Sequence, residues 1–437
     1  MSRWIHSWEP ENVEFWERTG KRIARRNLWW SILAENVGFS VWLIWSITAT
    51  RLPSAGFRYT TDQLFALVSL PGLVGALMRF PYTFAVPRFG GRNWTIVSAL
   101  LLFIPTILLV TLVQRPDTPF WLMMLAASTA GLGGGNFASS MANISFFFPD
   151  RKKGFALGLN AAGGNIGVST VQLLVPIVVG GVGAGGAHLA NAGLMWLPLI
   201  AIAACGAFFF MDNLATARSS FRDQVAVARY KHTWIVASLY IGTFGSFVGY
   251  SAAFPLLLKT QFPTVTANLA FLGPLVGSLA RPLGGLIADR LGGARVTFWN
   301  FVAMAGASGG VVWFLQAHSL SGFVVCFLAL FVTTGFGNGS TFRMIPAIFR
   351  TLAGSDGPER ARRESAAVIG IASAVGALGG FFIPRALGAS IKATGGASTA
   401  FAFFFACYFA CVAITWWYYL RASFLVQRMP SLAHANA

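Results

Sequence analysis

Acidic side chains are scarce in this chain. Its 437 residues hold 14 Asp and Glu against 32 Lys and Arg, and charged residues reach only 11% of the total. Soluble domains carry about 25%. Cysteine and histidine are scarce as well. Cys205, Cys326, Cys407 and Cys411 all fall in apolar runs without metal-ligand spacing, so they read as packing residues. The five histidines lie in loops or tails. No metal site, cofactor or catalytic constellation emerges, which argues against a metalloenzyme or a histidine-based hydrolase. An enzyme is not expected.

Apolar sequence is what the chain has in abundance. Hydrophobic residues make up 55% and glycine contributes 48 positions. Twelve apolar runs approach the ~20 residues needed to cross a bilayer. They lie near 28–50, 62–86, 94–113, 120–148, 155–180, 193–214, 233–257, 268–289, 297–315, 321–349, 366–388 and 400–420. The expected fold is an all-α membrane protein with two pseudosymmetric six-helix halves. The boundaries predicted are an N-terminal segment 1–27, a first half 28–214, a linker 215–232, a second half 233–420 and a tail 421–437.

The net charge of +18 would suit nucleic acid, but its distribution points to topology instead. Of the 32 basic residues, 23 fall on the side of the two termini, and the other nine lie on the opposite side or inside spans. That bias places both termini in the cytoplasm and predicts a multi-pass protein of the inner membrane, embedded in lipid and making no nucleic-acid contact. Anionic headgroups are also suited to the basic excess. Residues 1–27 hold four glutamates and no apolar core, so the first span is expected to act as the insertion signal.

An internal repeat supports the two halves. "LVGALMR" (73–79) returns as "LVGSLAR" (275–281), and nine residues after each arginine comes another, Arg88 in "PRFGGR" and Arg290 in "DRLGGAR". "GLGGGNF" (131–137) matches "GFGNGST" (335–341), which aligns Gly131, Gly133 and Gly135 with Gly335, Gly337 and Gly339. Gly164 and Gly167 pair likewise with Gly376 and Gly379. Parallel repeats of this kind signal a transporter with two rocking halves and a midplane site. Small residues let such helices approach closely and slide or bend, although close packing alone is the simpler reading.

Arg79 and Arg281 stand about 13 Å along their helices from the loop arginines, near the middle of a ~30 Å hydrocarbon core. A charge there is costly unless paired or hydrated. One reading neutralises both with carboxylates or backbone carbonyls. Glu35 is the one acid clearly inside a span, too few for that, so the preferred reading makes the substrate the counter-ion. The two related positions can then face each other across a central cavity. A guanidinium fork suits a small oxyanion such as carboxylate, phosphate or nitrate.

"GLGGGNFASSMANISFFFP" and "GFGNGSTFRMIPAIF" resemble the two nitrate signatures of the nitrate/nitrite porter family, within the major facilitator superfamily. The resemblance runs from "RNLWWS" to "GGFFIP", and "DRLGGAR" resembles the superfamily's loop motif, with Pro87 replacing the aspartate in the first copy. It implies that Arg79 and Arg281 clamp the anion and that Phe137, Tyr240, Phe244 and Asn165 line the same pocket. Those types make sense, because a flat, weakly hydrated anion can lie against an aromatic face while arginines satisfy its edges.

Moving an anion inward against an inside-negative potential costs about 2.3 kcal/mol per 100 mV, so uptake needs coupling. Arginines alone favour nitrate/nitrite exchange. Glu35 in "ILAENVGFSVW" could carry a proton instead, and the family's symport branch carries an acid where its exchanger branch is apolar. Nitrate/proton symport is therefore preferred, with electroneutral antiport as the alternative. Porters of other small anions and anion sensors rank lower. Arg343 could pair with Glu35, attract anions or snorkel to the interface.

Overall fold

The computed structural model describes residues 3–180, 188–217, 226–353 and 357–421, together with Leu432. The linker expected at 215–232 therefore lies partly, and the tail at 421–437 almost wholly, outside the described residues. The chain packs as two compact units. The first comprises Met1–Ser219, Ser251–Lys259 and Thr264–Phe271; the second comprises Ser220–Tyr250, Thr260–Pro263 and Leu272–Ala437.

Twelve membrane-length helical segments are present among the described residues. They are α1 (Val13–Arg51), α2 (Thr61–Phe89), α3 (Gly91–Leu112), α4 (Phe120–Phe147), α5 (Asp150–Val179), α6 (Asn191–Phe210), α7 (Lys231–Gln261), α8 (Leu272–Leu291), α9 (Gly293–Gln316), α10 (Leu320–Ala353), α11 (Arg363–Thr394) and α12 (Ser398–Leu420). Eleven are both long and apolar enough to span a bilayer. The remaining one, α4, is long enough at 28 residues but carries Gly, Ser and Asn through its second half. Only close packing against other helices makes such a sequence tolerable as a helix, since glycine costs about 1 kcal/mol each relative to alanine.

Each unit repeats one packing plan. In the first, α2 packs on α4, α1 on α5 and α3 on α6; in the second, α8 packs on α10, α7 on α11 and α9 on α12. The repeated glycines lie at helix crossings. A methyl group on Gly131 would stand 2.5 Å from the Val74 side chain, and one on Gly133 would meet the Gly38 carbonyl. In the second unit the same insertion at Gly335 would strike the Gly277 carbonyl, and at Gly339 the Arg281 carbonyl. Gly135 lies against Tyr82, Gly337 against Thr243 and Asn300, and Gly167 against the Asn36 carbonyl.

The N-terminal residues pack against the rest of the first unit. Trp4–Ile5 (β1) pairs in parallel with Asn213–Leu214 (β2), and the helix of the first span already begins at Val13. Trp8 donates to the Phe147 carbonyl at 3.3 Å, and Trp16 is buried. Trp8, Trp16, Leu28, Ile144, Phe147 and Leu214 share one apolar cluster. Arg26 completes the join with a 2.6 Å salt bridge to Asp212, whose carboxylate also accepts from Asn27.

Candidate anion site and coupling residues

In the first unit, α2 brings Arg79 to the glycine-rich stretch of α4. Arg79 is fully buried, and its Nε donates to the Gly134 carbonyl at 3.1 Å. Its guanidinium lies 4.6 Å from the centre of the Phe137 ring and 5.5 Å from that of Trp42. The absence of a side chain at Gly134 permits this approach: a methyl there would stand 2.6 Å from Trp42. Cation–π contact over a desolvated ring contributes up to ~2 kcal/mol, which offsets part of the cost of the buried charge.

One turn further along α4, Ser140 meets Glu35. The serine hydroxyl donates to Glu35 Oε2 at 2.5 Å, and Asn160 Nδ2 of α5 donates to the same oxygen at 2.6 Å. Asn160 also donates to Ser140 Oγ at 3.0 Å, which closes a three-residue ring. Gly164 leaves room for the carboxylate, because a methyl on it would stand 2.6 Å from Glu35 Oε1. Asn165, on the same helix, is buried, and its amide oxygen meets no donor among the described residues.

The second unit builds an aromatic array on α7 and α10. Tyr240 lies between Phe244 and Phe342, nearly parallel to both, with centroid separations of 5.2 and 4.4 Å. Phe244 belongs to a π-helical turn, Ile241–Gly245, of the kind that recurs at functional sites. The Tyr240 hydroxyl donates to Asn338 Oδ1 at 2.5 Å, which fixes the ring about its axis. Arg281 of α8 is buried, and its guanidinium stands 5.5 Å from the Phe342 ring centre. An arginine beside an aromatic ring of the glycine-rich helix is thus found in each unit.

Arg343, a candidate partner of Glu35 from sequence, instead forms its salt bridge with Asp289, at the C-terminal end of α8 where "DRLGGAR" begins. Both side chains are about half exposed, so the pair contributes little by itself. Nearby in sequence terms, Arg360 donates to Glu364 at 2.9 Å and to the Tyr230 hydroxyl at 2.9 Å. The hydrogen bond to the Glu364 carboxylate, then that to Tyr230, holds the Arg360 guanidinium above its ordinary pKa.

Trp42, Ser140, Asn160, Asn338 and Phe342 were not legible as site residues. Ser140, Asn338 and Phe342 lie inside the quoted signatures, so position in a motif was the available signal. Which of their faces meets Glu35, Tyr240 or Arg281 depends on helix pairing, and no single-helix periodicity encodes that.

Residues 36–384 match the model of the Major Facilitator Superfamily. The chain is 46% identical to "Nitrate/nitrite transporter NarU" of Salmonella typhimurium, over 95% of this chain and 96% of that protein. It is 38% identical to "Probable nitrate/nitrite antiporter NarK2" of Thermus thermophilus, over 96% of this chain and 97% of that one. Among solved structures, a partially occluded, inward-open form of the xylose transporter XylE from E. coli superposes with a TM-score of 0.66, covering 94% of this chain and 99% of that one. At 13% identity that likeness concerns the fold alone. With the superfamily match and full-length relatives in agreement, the chain belongs to the Major Facilitator Superfamily and, within it, to the nitrate/nitrite porter family.

Proposed function

We propose that this protein carries nitrate, and nitrite, across the cytoplasmic membrane by alternating access, with Arg79 and Arg281 supplying the positive charge that the anion neutralises. The observation carrying this reading is the arginine–aromatic pairing found in each unit, Arg79 on Phe137 and Arg281 on Phe342. A guanidinium fork beside a flat ring suits a planar, weakly hydrated monoanion better than a tetrahedral, more highly charged one. Phe137, Asn165, Tyr240 and Phe244 complete the proposed lining. Both termini are placed in the cytoplasm on the basis of the loop charge bias.

The preferred coupling is nitrate/proton symport through Glu35, supported by its burial between the Ser140 hydroxyl and the Asn160 amide. A carboxyl group so enclosed can hold a proton in one state and accept hydrogen bonds in the other. Electroneutral nitrate/nitrite antiport is the second reading, and the name of the Thermus relative favours it. Counterflow in proteoliposomes separates them. Under symport, an inward proton gradient should drive nitrate accumulation with no anion inside. Accumulation that occurs only with preloaded nitrite would establish antiport.

A further inference from the structure

We propose that the N-terminal end of α1 carries a binding site for the headgroup of an anionic phospholipid, formed by Lys21, Arg22, Arg25 and Trp29. These residues, with Glu17, line a surface cavity of about 400 Å³ in the first unit. Their spacing accounts for the site. Lys21, Arg25 and Trp29 are four residues apart in succession, and Arg22 precedes Arg25 by three, so all four project from one stripe of the helix. The stripe is graded along its length: three cations lie at the outer end, and an indole 58% exposed lies at the edge of the first apolar run.

The charges in the cavity are unequal. Glu17 accepts from Lys21 at 3.2 Å and faces Lys152 at 3.6 Å, so its carboxylate is already committed. Among the described residues, neither Arg22 nor Arg25 meets a carboxylate, and both are exposed. Arg26, next in the chain, points away to Asp212. Two guanidinium groups are thus held on a rigid helix about 6 Å or more above an exposed indole, measured along the axis. Tryptophan favours the membrane–water boundary, and cations just outside it attract anionic headgroups. A phosphodiester between Arg22 and Arg25, with its glycerol and upper acyl chain along Trp29, satisfies both ends of the stripe. A free phosphate would leave the indole uncovered, so the proposal commits to a lipid.

The helix is anchored well enough to present such a site. Trp16 is buried one turn before it, and Asn27 is buried on the opposite face. Ordering is therefore complete before the lipid arrives.

Native mass spectrometry of the purified full chain, given equal amounts of dioleoylphosphatidylglycerol and dioleoylphosphatidylcholine, tests the proposal. The wild type should retain the phosphatidylglycerol in excess, and R22Q/R25Q should lower that excess by roughly fivefold per arginine. R290Q/R295Q, which removes equal charge from the second unit, should leave it intact. Trp29→Ala keeps every charge and should lower retention too. Equal retention of both lipids by the wild type, an excess that survives R22Q/R25Q or Trp29→Ala, or the same loss in R290Q/R295Q would overturn the site. Should the double variant fail to fold, R25Q alone carries the test, with retention unchanged from wild type as the contrary result.

Discussion

The Ser140 hydroxyl and the Glu35 carboxylate are joined at 2.5 Å, and Ser140 lies three residues beyond Phe137, the ring on which Arg79 rests. One helix face therefore bears both the arginine's aromatic partner and the acid's hydrogen-bond donor, about 4.5 Å apart along the axis. Glu35→Gln should abolish proton-driven nitrate accumulation while leaving nitrate/nitrite exchange near wild type. Uptake and counterflow in the same proteoliposomes measure both, and undiminished proton-driven uptake would remove Glu35 from the coupling step.

Arg79→Lys and Arg281→Lys each keep a positive charge but lose the planar fork. The loss of one charge-assisted hydrogen bond, ~1.5–3 kcal/mol, corresponds to about 10- to 100-fold weaker nitrate binding. Isothermal titration of each purified variant gives the comparison. Two variants with wild-type affinity would show that the arginines serve the fold and not the anion.

Tyr240→Phe removes the donor to Asn338 and leaves a buried amide oxygen without its partner, at a cost of ~1–3 kcal/mol. The stack on Phe244 and Phe342 should persist, because the ring is unchanged. The expected outcome is a thermal midpoint lowered by several degrees, with nitrate affinity reduced less than in either arginine variant. An unchanged midpoint would mean that Asn338 finds another donor.

Gly335→Ala places a methyl group against the Gly277 backbone, which cannot swing aside as a side chain would. Overpacking of this kind costs ~1–3 kcal/mol, so lower yield and a lower melting temperature should follow. Gly285→Ala is the matched control, since an added methyl there meets nothing within 4 Å. Equal behaviour of the two in detergent melts would refute the close crossing of α8 and α10.

Much of this architecture was legible in sequence because a bilayer simplifies the code. Length and apolarity mark a span, and the repeat of "LVGALMR" as "LVGSLAR" foretold that α2 and α8 play equivalent parts. Gly131 and Gly335 could be read as crossing points, since small residues let helices approach closely. The partners of charged groups were not legible. Arg343 pairs with Asp289, fifty-four residues before it, and Glu35 sits between a serine on α4 and an asparagine on α5. Hydrophobic spacing within one helix reports which face is buried but not which neighbour covers it. The contacts of the N-terminal residues were out of reach for the same reason: Trp8 and Trp16 pack on α4 and its following loop.

The pairing of Trp4–Ile5 with Asn213–Leu214 imposes an order on biosynthesis. The strand made first has its partner only when the sixth span has left the ribosome, so the opening residues must wait while six helices insert. Their docking, fastened by Arg26 on Asp212, then reports that the first six spans are in place. A bulky group fused close to Trp4 would interfere with that final closure and not with insertion itself, leaving a protein that reaches the membrane but matures slowly.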